Sequence, residues 1–195
     1  MHNEVVHTEV YKGYTIEVYR DDDANSPADH GDTDLFLVAD HRNFTVRTNG
    51  SMAEGSIDDY REAYRKTHHV LGLEAYIHGG VSLSLAAEGR FPDRRWDVSQ
   101  LGAVFASKAV WKSKEKARNA ALSLIEEWNQ YLSGDVYGYR ILEVETCATC
   151  GHGEPNEIES CYGFLGDYEA GALAEARIVV DSLVGQKEKA KSKKS

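Results

Sequence analysis

The stretch Trp128–Glu145, WNQYLSGDVYGYRILEVE, carries a change of hydrophobic period. Before it, Ala117, Ala121, Leu124, Ile125, Trp128 and Leu132 recur at spacings of three and four, one apolar stripe of a helix over about 114–132. After it, from Val136, Tyr137, Tyr139 and Ile141 alternate with other residues, the period of a strand. Ser133-Gly134-Asp135 separates the two. Glycine tolerates the left-handed conformation that closes a helix, and aspartate suits a turn. A chain that passes from a long amphipathic helix directly into an aromatic-rich strand is neither all-α nor all-β.

The remaining segments extend that reading. Val10–Asp21 reads as a first strand, and the apolar run Leu35–Ala39 as a second that pairs with it. Asp40–Ser56 reads as irregular, with Asn49-Gly50 as a turn. Ser56 followed by Asp58 and Asp59 is the start of a helix expected to reach about His69, and Ser56-x-x-Asp59 loosely matches a capping box. Glu74–Ala87 reads as two short strands around Gly79-Gly80, or one strand with a bulge. Strands are expected at Leu101–Ser107 and Glu159–Leu165, and Asp167 can cap a final helix over Tyr168–Val184. The order predicts an α+β fold, a mainly antiparallel sheet with about three helices. A single domain is expected over 1–186, with a disordered Lys-rich tail at 187–195. Tyr11–Val18 and Tyr137–Val144 echo one another, as two equivalent hairpins or by chance.

The net charge is −10, and the tail Lys187–Ser195, with five Lys and one Glu, leaves −14 on residues 1–186. Such a body repels nucleic acid and membranes and attracts basic partners; solubility alone is the plainer explanation. No apolar run approaches the ~20 residues of a membrane helix, and the polar N-terminus does not read as a signal peptide. Three cysteines, two of them in one CxxC, argue against a disulfide framework and for a reducing cytoplasm.

Cys147 and Cys150, with His152 and Cys161, form the best metal candidate. Zinc takes four N or S ligands, and CxxC supplies two from one turn; no second CxxC or CxxH completes the pattern. Zinc is the one cofactor the sequence suggests, and free thiols or a redox pair are the alternatives. Asp21, Asp22, Asp23, Asp29, Asp32 and Asp34 could supply oxygen ligands to calcium or magnesium, but lack the EF-hand spacing and fit a solvated loop better. A hydrolase or nuclease using that loop with magnesium is a lesser alternative. His68-His69, read as helical, diverge by about 100° and converge poorly with His78 on one ion. Gly-x-Ser-x-Gly, the P-loop and Gly-x-Gly-x-x-Gly are absent. Arg94-Arg95-Trp96-Asp97 could hold an anion, though Trp96 reads more simply as a core anchor.

Four stretches together resemble a known group: Tyr11–Ile16 with the acidic loop after it; His78–Ser84; Trp96–Gly102 running into Ser107-Lys108; and Tyr131–Tyr139 with Ser160–Phe164. They are similar to a family of small proteins carried by bacteriophages, plasmids and integrative elements, over most of residues 10–170. Relatives tend to have Trp where Tyr162 stands and to lack the Cys147–His152 insertion. Ser160-Cys161 belongs to the family pattern, which favours packing for Cys161. The resemblance implies no catalytic residues. It implies a setting, that of mobile-element genes whose products inhibit host defence, as antirestriction or anti-CRISPR proteins do. The expectation is therefore a non-enzymatic, cytoplasmic interaction protein. Its acids Asp21, Asp22, Asp23, Asp29, Asp32, Asp34, Glu126, Glu127 and Asp135 would mimic phosphates in the basic groove of a host nucleic-acid-binding defence complex. Direct contact with nucleic acid or membrane is not expected. The rival class is a small zinc-binding regulatory or nucleic-acid-binding module built on Cys147, Cys150, His152 and Cys161.

Overall fold

Among the described residues of the computed structural model, nine strands, all paired antiparallel, divide into two sheets, with three α-helices packed on them. The fold class is α+β. The structure describes residues 4–30, 32–42, 44–47, 55–91, 98–146 and 153–192. Within the span expected as one domain, contacts cluster into two compact units: Met1–Ala24 with Gly134–Ser195, and Asn25–Ser133.

The first unit has the strand order β1-β2-β8-β9. Its strands are β1 (Val5–Tyr11), β2 (Tyr14–Arg20), β8 (Val136–Thr146) and β9 (Gly153–Leu165). The hairpin joining β1 and β2 turns at Lys12-Gly13, both with positive φ. The echoing strands become central neighbours, with Ile16 opposite Ile141 and Val18 opposite Tyr139. Each belongs to a hairpin, but β2 closes its hairpin while β8 opens its own. Ile16, Val18, Tyr139 and Ile141 form one buried face. Asp167 Oδ1 accepts from Glu169 N at 2.9 Å, starting a π-helical turn, Glu169–Leu173, that leads into α3 (Ala174–Ser192). Leu173, Ala176 and Val180 cover the buried face. Arg177 forks onto Glu9 at 2.8 and 2.6 Å, and that hydrogen bond holds the Glu9 carboxyl below its ordinary range.

The helix α3 runs on past Val184 into the stretch expected as a disordered tail. Lys187 Nζ donates to Glu143 at 2.5 Å and lies 5.0 Å from the centre of the Tyr14 ring. Helix continues to Ser192.

The second unit has the order β4-β3-β7-β5-β6. Its strands are β3 (Leu35–His41), β4 (Phe44–Arg47), β5 (His68–Ile77), β6 (Val81–Leu85) and β7 (Val98–Ser107). A helix lies on each face. Tyr60 of α1 (Ile57–Tyr64) packs with Phe36, Val38, Ala103 and Phe105. Ala121, Ile125 and Trp128 of α2 (Lys114–Ser133) pack with Leu37, Ala39, Leu73 and Val104. Strands buried on both sides read as continuous apolar runs, as LFLVA and LGAVFAS do. That also corrects the expected partner of Leu35–Ala39. With apolar side chains on both faces it takes the interior of this sheet, between β4 and β7, and does not pair with the first strand.

The capping box forms as expected: Asp59 N donates to Ser56 Oγ, and Ser56 N to Asp59 Oδ2. The helix stops at Tyr64, short of His69, because His68 already pairs with Ser107 across β5 and β7. The Glu74–Ala87 segment resolves as two strands around Gly79-Gly80. At Gly102 the backbone of β3 comes up close against β7. A methyl there would collide with the Val38 carbonyl oxygen and sit 2.9 Å from Ala39 Cα.

Candidate functional site

The helix α2 is placed by its N-terminus and by one polar clasp. Lys116 N donates to Ser113 Oγ at 3.3 Å. Further along, Asn129 Oδ1 accepts from Leu83 N at 2.7 Å and Asn129 Nδ2 donates to Leu83 O at 3.1 Å. This bidentate pairing fixes the roll of α2 on β6, hence the direction of its acids.

Beside α2 runs the segment before β3. Ser26, Asp29 and Asp32 shape it through local bonds. Ser26 N donates to Asp29 Oδ2 at 3.0 Å, beginning a 3₁₀ turn over Pro27–His30. Asp32 Oδ1 accepts from Asp34 N at 2.7 Å and from Leu35 N at 3.2 Å, the side-chain turn that short acids favour. The turn fixes Asp32, which lines the same opening as Glu127. The two line one cavity of about 210 Å³, with Pro27, Leu35, Leu37, Leu124 and Trp128 among its other walls. Residues 95 positions apart in the chain thus line one opening, two carboxylates among apolar side chains.

Glu126 does not join them. Successive helical residues diverge by about 100°. Glu126 accordingly lines a different cavity, of about 390 Å³, with Ser84, Glu88, Arg90, Leu122 and Ile125. There Arg118 forks onto Glu88, at 2.8 Å on each side.

The other expected acids belong to the first unit. Asp21, Asp22 and Asp23 follow β2, and Asp135 precedes β8. Asp21 N donates to Val136 O at 2.8 Å, and Asp135 O accepts from Gly166 N at 2.8 Å. The nine acids therefore fall into two sets: Asp21, Asp22, Asp23 and Asp135 at one end of the first sheet, and Asp29, Asp32, Asp34, Glu126 and Glu127 in the second unit.

Cys147, Cys150 and His152 lie outside the described residues, as do Arg94, Arg95, Trp96 and Asp97. Cys161 is the one member of the expected four-ligand set that lies among the described residues. It stands on β9 opposite Tyr139, exposed and with its thiol free. Among the described residues, no group of three or more His, Cys, Asp or Glu could hold a metal ion.

The histidines also separate. His68 Nε2 faces the Thr33 carbonyl at 3.3 Å, while His69 Nε2 faces that of Trp111 at 2.9 Å. They open a strand rather than close a helix, so their side chains leave on opposite faces.

Sequence reading missed a polar network on the first sheet. Glu17 sits directly opposite Arg140, Arg140 also bonds Tyr19, and its Nε lies 3.9 Å from Glu157. The period-two pattern held the signal, because Glu17 and Tyr19 alternate with the buried Ile16 and Val18. Their partner lies more than a hundred residues away, where no local pattern reaches.

In comparison with known proteins, no family model, no curated protein and no solved structure matches the chain. Among the described residues, no helix is long and apolar enough to cross a membrane.

Proposed function

We propose that the chain is a non-enzymatic interaction protein of the anti-CRISPR or antirestriction kind, made by a mobile genetic element. It acts in the host cytoplasm by occupying the basic groove of a nucleic-acid-binding defence complex. The reading rests on one observation, that Asp32 and Glu127, far apart in the chain, line a single opening. Carboxylates that share an opening with Leu124 and Trp128 suit a partner's arginine or lysine, whose stem packs on apolar side chains while its head meets the acids. A cavity of about 210 Å³ admits one or two such side chains. The net charge of −10 adds long-range attraction to a basic surface and repels competing nucleic acid. The contact region is thus narrower than the nine acids expected from sequence, and centres on Asp32 and Glu127.

The test is capture from host lysate with the native chain and with the double variant Asp32→Lys/Glu127→Lys. The native chain is expected to retain a nucleic-acid-binding protein that added duplex DNA displaces, and the variant to lose it. Captured proteins without affinity for nucleic acid, or equal capture by both chains, would sink the reading.

A further inference from the structure

We propose that the outer edge of β9 is a docking edge for an extended, basic segment of a partner protein, which adds to the first unit's sheet as a fifth strand. The edge belongs to a different unit from the Asp32–Glu127 opening and does not require it. Three observations carry the inference.

The first is the edge itself. β9 is 13 residues long and closes the order β1-β2-β8-β9, so on its far side no strand pairs with it among the described residues. Its residues from Glu154 to Glu159 and from Cys161 to Gly163 are exposed. Unpaired backbone N–H and C=O groups are a template for strand addition; here Pro155, which has no N–H, and irregularities at Ile158 and Tyr162-Gly163 interrupt the row without removing it.

The second is charge. Glu154, Glu157 and Glu159 lie along the strand, which contains no Lys or Arg. Among the described residues, the ion pair made to it, Arg140 with Glu157, is long at 3.9 Å. A second copy pairing edge to edge would bring glutamate against glutamate, which disfavours self-association. A basic strand meets the opposite field. The same three side chains therefore reject a second copy and select the occupant.

The third is apolar anchorage between the charges. Ile158 and Tyr162 are 36% and 45% exposed, large for apolar and aromatic groups on a strand. The Tyr162 ring lies over Gly138 of β8, where a methyl would come within 2.8 Å of its Cγ and Cε1. The ring thus packs on the backbone of β8 and remains about half exposed.

The experiment uses the full chain and a synthetic peptide of about nine residues built from Lys, Thr and Val, long enough to lie along the exposed part of β9. Binding is followed by calorimetry and by backbone amide shifts. Saturable binding is expected, centred on β9 amides and weakened by salt. N-methylation of alternate peptide nitrogens, which removes strand hydrogen bonds but keeps the charge, should weaken it at least about tenfold. Charge reversal by Glu154→Lys/Glu157→Lys/Glu159→Lys should do the same, at least about tenfold. Asp32→Lys/Glu127→Lys should bind as the native chain does, which separates this edge from the groove. Equal affinity for the N-methylated peptide, no loss on charge reversal, shifts confined to the groove, or no saturable binding would each overturn the proposal. So would concentration-dependent dimers whose β9 amides become protected, since the occupant would then be a second copy.

Discussion

The two units build antiparallel sheets under different constraints. In the second, α1 and α2 cover opposite faces, so β3 and β7 are apolar on both sides and Gly102 lets their backbones close up. In the first, α3 and its π-helical lead-in cover one face, and the strands alternate. The opposite face carries a charged and aromatic network, Glu17, Tyr19 and Arg140, and the sheet ends in the exposed strand β9. The contrast shows where each unit can change cheaply. A sheet enclosed on both faces has little room for a new atom, whereas a sheet with an open edge has room but must manage its unpaired backbone.

Paired glycine substitutions break the comparison most directly. Gly102→Ala should cost about 3 kcal/mol or more, since the obstructing atoms are backbone and cannot rotate away. Denaturant unfolding and amide exchange should show β3 and β7 losing protection first; a cost under about 1 kcal/mol would mean that the strands part easily. Gly138→Ala should cost less, about 1–2 kcal/mol, because its obstacle is the half-exposed Tyr162 ring. Adding Tyr162→Ala should then recover part of the loss, and strict additivity of the two changes would refute the clash. Ser56→Ala removes half of the capping box and should cost about 1 kcal/mol, felt in α1 before β8.

The smallest effect lies at the end of α3. The hydrogen bond to Glu143 pushes the Lys187 ammonium up to about 12. A raised value in the folded chain means that the anchor is complete below the ordinary lysine value of ~10.4. It fades as the pH rises through about 12. Lys187→Gln should speed amide exchange over 188–192 severalfold and leave β2 and β8 unchanged. Equal exchange in both chains would show that α3 needs no such tether.

What was legible in sequence follows from range. The α2 stripe, the Ser56 cap, the stop at Gly134 and the β5–β6 turn are local, and each was read within a few residues. β1 was missed because it is a sheet edge with no residue fully buried, so VVHTEVY shows no clean alternation. From sequence β9 reads as starting only at Glu159, because GEPNEI is polar and an exposed edge demands nothing else of it. The pairing of β2 with β8 spans more than a hundred residues and was visible only as an unexplained echo. For the site, the sequence offered nine acids without grouping them. Glu126 and Glu127 looked alike until the roll of α2 sent them to separate cavities.

The backbone bond from Asp21 N to Val136 O has a consequence for how such a protein can be remade. The segment 25–133 departs after β2 and returns at β8, and these two strands are hydrogen-bonded neighbours. Topologically it is an insert whose two stems are already stapled side by side. The gap to be bridged stays the same whatever is spliced between them, so lineages could exchange the insert whole while the four-strand frame kept its own register.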